Sequence, residues 1–175
     1  MSIFKRLFGN SKDNKKNSGH GKPDIEKLLS SENINNSIIE MDNYVCKICA
    51  WGDEIEKLTE EQKYFYFNQE LEREVNNGGF NQYFLNSSGD YSHETVKSLL
   101  AIKAYKTVEL LQKAIDQFPD KKVPNNRERR LEIVGQIEER ANPIWEQLDQ
   151  TFFEYADNLN ALNMEFIRQH RDNFI

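Results

Sequence analysis

The chain has 175 residues, of which 38% are hydrophobic and 30% charged, with eleven Phe, seven Tyr, two Trp and only four Pro. That is enough apolar material for one domain with an aromatic-rich core, and the composition favours a helical protein. No apolar run approaches the roughly 18 residues that a membrane-spanning helix needs, so none is expected.

The net charge of −6 conceals a split along the chain. Residues 1–23 carry six basic residues against Asp13 alone, whereas the remainder has 17 basic and 28 acidic residues, a balance of −11. Within that remainder, residues 24–90 have 5 basic and 14 acidic, 91–136 have 9 and 6, and 137–175 have 3 and 8. A domain at −11 repels phosphate, which argues against direct nucleic-acid binding by it.

Residues 1–23 read as a basic tail. Ile3, Phe4, Leu7 and Phe8 are too few and too interrupted for a signal-peptide core, so a cytoplasmic protein is expected. Residues 1–8 suit either an unstructured start or two turns of basic amphipathic helix with weak membrane contact. Residues 9–23 have almost no apolar side chain and read as a disordered tether.

The domain proper is expected over 24–175. Ile34, Ile38, Met41, Val45, Ile48 and Cys49 recur at helical spacing and predict one or two helices that end before Gly52. Cys46 and Cys49 have C-x-x-C spacing, but neither a second ligand pair nor a βαβ context accompanies them, and they read as two ordinary thiols. Thr59-Glu60-Glu61-Gln62 forms a capping box that opens a helix with Tyr64, Phe67, Leu71 and Val75 on one face, widened by Phe65 and Tyr66. That helix is predicted to be central and packed on two sides.

Val75 ends the pattern, and Asn76-Asn77-Gly78-Gly79 offers residues that readily take left-handed backbone angles. Phe80, Tyr83 and Phe84 then share one face of a new short helix, and Asn86-Ser87-Ser88-Gly89-Asp90 breaks the chain again. Ser92 is a candidate cap for a helix whose apolar positions Val96, Leu100, Ala104, Val108, Leu111, Ile115 and Phe118 run over six turns to Pro119. A loop to Asn126 precedes a charged helix over 127–140 with Leu131, Val134 and Ile137 inward, and Asn142-Pro143 is predicted to restart the chain. Ile144, Leu148, Phe152 and Tyr155, then Leu159, Leu162, Phe166 and His170, complete an all-α domain of about seven helices.

The run Asn76-Asn77-Gly78-Gly79-Phe80-x-Gln82-Tyr83-Phe84-x-Asn86-Ser87-Ser88-Gly89-Asp90 resembles the signature of a bacterial domain family of largely undefined function. Its best-known member is a small acidic DNA-mimic protein. The resemblance covers roughly residues 58–172 and implies the same helical fold.

No catalytic elbow, phosphate loop or Glu-x-x-His metal pair accompanies these elements, so neither an enzyme nor a cofactor is expected. Phe80, Tyr83, Phe84 and Tyr91 fit a core plug better than a ligand pocket. The amides of Asn76, Asn77, Asn81 and Gln82 close helix ends or recognise a partner, and the turn chemistry favours the first. Glu70, Glu72, Glu74, Glu146, Asp149, Glu154 and Asp157 are expected to form exposed acidic surface. Carboxylates one turn apart are about 5.4 Å apart along a helix, comparable to phosphate spacing. The expected function is therefore non-enzymatic binding of a protein, with DNA mimicry toward a basic DNA-binding protein as its sharpest form. A toxin-neutralising immunity protein and a small-molecule module or uncharacterised enzyme are the alternatives, and a homodimer is compatible with all three.

Overall fold

The computed structural model describes residues 21–174, so the expectations for residues 1–20 lie outside the described residues. Seven α-helices and short 3-10 turns make up the fold, and the described residues contain no strand. The helices are α1 (Ile25–Ser30), α2 (Ile34–Ile48), α3 (Glu60–Leu85), α4 (Ser92–Ala101), α5 (Tyr105–Ile115), α6 (Arg127–Phe152) and α7 (Leu159–Gln169).

Side-chain caps start most of them. Asp24, Asn33, Asn126 and Asn158 each accept a backbone N–H in the first turn of α1, α2, α6 and α7. The predicted capping box is formed at α3: Gln62 N–H donates to Thr59 Oγ1 at 3.2 Å, and Thr59 N–H donates to Gln62 Oε1 at 3.1 Å. α3 is central, buried on several sides and packed against α2, α4, α6 and α7. One contiguous apolar core surrounds it.

Three expectations are corrected. The run from Ser92 to Phe118 is two helices, because Lys103 adopts φ 63° and Ala104 N–H reaches back to Leu99 O at 2.9 Å, which closes α4. The break rotates the buried face: Leu99 and Ile102 enter the core, whereas the expected Leu100 is exposed. Ser92 does not cap α4 but lies inside it, its hydroxyl donating to Gly89 O at 2.7 Å.

The second correction concerns Asn142-Pro143, where the chain does not restart; α6 runs through as one helix of 26 residues. Proline there removes one backbone hydrogen bond and crowds the preceding turn, a cost of about 3 kcal/mol. The buried stripe Val134, Ile137, Ala141, Trp145, Leu148 and Phe152 stays in register across it. Each large side chain removed from water returns about 1.5–3 kcal/mol, so packing outweighs the local defect. The third correction is in that stripe: Leu131 and Ile144 are exposed, and a fully buried Arg130 occupies the inward position before Val134.

Candidate functional site

The signature segment lies where α3, the turn Ser87–Tyr91, α4 and α6 meet. α3 is broken at Gly78 and Gly79, and Gly79 has φ 75° and ψ −174°, a conformation closed to residues with a Cβ. A Cβ on Gly79 would also overlap the Asp149 carboxylate of α6. That carboxylate accepts the Phe80 N–H at 2.8 Å and so caps the restarted half of α3 from another helix. Asp149 is drawn into this contact far enough for burial to raise its pKa, against the lowering effect of the Phe80 N–H.

Beyond the break, Phe80, Tyr83 and Phe84 are fully buried, as the core-plug reading expected. Phe84 packs against Phe118 and Trp145, with centroids 4.8 and 5.3 Å away, and Phe80 meets Phe152 edge-on at 6.2 Å. The Tyr83 hydroxyl donates to Thr95 Oγ1 at 3.0 Å. Tyr91 differs from these three: it is half-buried and stacks on Phe67 at 4.8 Å beside an open groove.

The turn after α3 is held by Arg130. Its guanidinium donates to Phe84 O at 2.7 Å, Asn86 O at 2.8 Å and Pro124 O at 2.9 Å, and pairs with Asp90 at 2.6 Å. The flat five-donor fork of arginine suits this set of acceptors, and an ammonium could not reach them together. A Cβ on Gly89 would stand 2.7 Å from Arg130 Nε and 2.9 Å from Tyr83 O, so the signature glycine makes room for the arginine. Ser88 Oγ donates to Tyr83 O at 3.3 Å. Neither Arg130 nor the capping role of Asp149 was foreseen. The usable signal was a charged residue in register with the apolar stripe of α6.

The amides sort clearly. Gln82 and Asn86 both donate to Glu74, at 2.7 and 2.8 Å, and Asn81 donates to Asn142 at 2.6 Å. Tyr155 donates its hydroxyl to Asn76 at 2.9 Å, while Asn77 and Gly78 are exposed.

The expected acidic row is also redistributed. Glu70, Glu72 and Glu74 are half-buried, not exposed. Glu70 pairs with Arg73, which also binds Asp42 at 2.6 Å, and Glu74 is taken up by the two amides. Burial raises the carboxyls of Glu70 and Glu72. Asp157 accepts the N–H of Thr107 at 2.8 Å and its hydroxyl at 3.0 Å, replacing the side-chain cap that Ala104 cannot give α5. Glu146 and Glu154 are exposed, as are Glu138 and Glu139 earlier in α6. Glu70 and Glu74 therefore serve the fold, whereas exposed carboxylates lie on α6 and on the α2–α3 connection, where Asp53 and Glu56 are exposed.

Cys46 and Cys49 are buried free thiols; burial first, with Asp42 and Glu70 adding, pushes Cys46 up to about 12. A thiol so placed is a poor nucleophile and packs as an apolar residue.

In comparisons with known proteins, the family model described as DMP19-like protein matches residues 56–170. No curated protein and no solved structure matches the chain.

Proposed function

The chain belongs to the DMP19-like protein family, and we propose that it is a non-enzymatic protein-interaction domain that binds a basic DNA-binding protein by presenting carboxylates in place of phosphates. The family, whose best-known member is a DNA mimic, supports the general role. The observation that carries the sharper reading is the exposed stripe Glu138, Glu139 and Glu146 on the long helix α6. Glu139 and Glu146 are two turns apart on one face, about 10.5 Å along the axis, which is about three phosphate steps of one nucleic-acid strand. α6 is anchored along its other face by Trp145, Leu148 and Phe152, so the carboxylates are held on a rigid rod. The basic segment 91–136 sits apart in sequence from the acidic stretches, leaving the domain bipolar.

The reading is tested by mixing the purified full chain with basic DNA-binding proteins at about 50 and 200 mM salt, where phosphate-like contacts differ strongly. A complex at low salt that DNA displaces and salt weakens is expected. Absence of any complex at low salt sinks it.

A further inference from the structure

We propose that the groove between the Ala50–Gly52 turn, α3 and the Ser87–Tyr91 turn receives an arginine side chain of the protein partner, its guanidinium entering a recess behind Tyr91. The inference rests on the proposed binding of a basic protein and supplies an anchoring contact for it.

Two hollows adjoin here, both lined by Phe67, Asp90 and Tyr91. The outer one is a groove of about 430 Å³, and the inner one a recess of about 60 Å³. The inner volume is the share of about two water molecules, the scale of a four-atom guanidinium head. Phe67 and Tyr91, stacked with 23° between their planes, form a flat aromatic wall against which a planar cation packs.

The recess is rich in acceptors. Glu70 and Asp90 line it, and although Arg73 and Arg130 each hold one side of these carboxylates, a carboxylate has sites for several donors. Tyr66 supplies the observation that points to a ligand. The residue is 6% exposed, and its hydroxyl oxygen opens on the recess with no hydrogen-bond partner among the described residues. A hydroxyl that opens on the recess and has no protein partner is available to a group that enters it. Gly52 keeps the space open: it has φ 104°, and a Cβ there would stand 2.7 Å from the Tyr66 oxygen. Lys63 and Lys97 line only the outer groove, together with Glu60 and Glu94, so the mouth is mixed while the inner end is acidic and polar. An arginine fits that gradient better than lysine, because a planar five-donor head can meet Tyr66, Glu70 and Asp90 together.

The test titrates the full-length protein with acetyl-Gly-Arg-Gly-amide and its lysine and citrulline counterparts, followed by backbone-amide NMR. Saturable shifts confined to Gly52, Tyr66 and 87–91 are expected for the arginine peptide, with lysine at least about fivefold weaker and citrulline silent. Tyr66→Phe keeps the ring, and with it the packing, and is expected to weaken arginine binding about fivefold, the worth of one hydrogen bond. Shifts that are absent, spread over the acidic surface, equal for lysine, or unchanged by Tyr66→Phe overturn the inference. Separate fates are kept by repeating the low-salt binding of basic DNA-binding proteins with Tyr66→Phe. A complex as tight as the unsubstituted protein's overturns the groove alone. No complex from either protein overturns the proposed function, and saturable peptide binding then leaves the recess standing as an arginine site.

Discussion

Asp149 shows how much a single carboxylate can decide. It replaces the intrahelical partner that the break at Gly79 takes from the N–H of the fully buried Phe80. Asp149→Ala leaves that donor unsatisfied, and a loss of about 1–3 kcal/mol is expected in urea unfolding. Asp149→Asn keeps an oxygen acceptor and is expected to lose less than about 1 kcal/mol. The pH dependence has an unusual sign. Burial raises Asp149, Glu70 and Glu72 above their unfolded values, so the native state binds protons first as pH falls. The contribution of these groups to stability therefore grows on acidification from neutral through their raised pKa values, and is complete below the ordinary carboxyl range. In calorimetric scans from neutral pH down to the ordinary carboxyl range, Asp149→Asn is expected to flatten that part of the profile. A larger acid-induced gain in the variant than in the unsubstituted protein would assign the effect elsewhere.

At the scale of elements, the α4–α5 elbow is the place where local conformation and residue type conflict. Lys103 holds φ 63°, which costs a side-chain-bearing residue about 1–2 kcal/mol and glycine almost nothing. Its side chain is exposed, so Lys103→Gly is expected to stabilise the protein by about 1 kcal/mol after the entropy of the freer unfolded chain is subtracted. Thermal unfolding reads the gain directly, and a lower midpoint would refute it. The same elbow explains why the sequence misled there: no Gly, Asn or Pro marks it, and Val96, Leu100, Ala104 and Val108 keep helical spacing across it. Legibility elsewhere followed the same logic. The capping box at Thr59 acts within one turn and was readable, as was the break at Gly78–Gly79. Pro143 misled in the opposite direction, because a local breaker lost to packing along the whole of α6. The carboxylates of α3 misled for a third reason: helical spacing places a side chain on a face, but only the fold brings Arg73, Gln82 and Asn86 against it.

Over the whole molecule, charge not spent inside is what remains to act on a partner. Glu74, Asp149 and Asp157 are committed to internal hydrogen bonds, whereas Glu138, Glu139 and Glu146 are exposed along α6. Replacing these three with Lys changes the net charge by +6, from −6 to 0. Exposed substitutions away from packing contacts each cost within about 0.5 kcal/mol, so the fold should persist, which circular dichroism checks. Binding should not persist. At physiological salt, fields decay over about 8 Å, so carboxylates far from the interface contribute little and those at contact dominate. The triple variant is therefore expected to lose most of its affinity for a basic DNA-binding partner at low salt, and its binding constant should fall less steeply with added salt because fewer counterions exchange. Reversing Glu26, Glu32 and Glu40 on α1, α2 and their connection makes the same change in net charge at another place. Equal weakening by both variants would mean that net charge alone governs association, and selective loss with the α6 variant would identify α6 as the face that substitutes for a phosphate backbone.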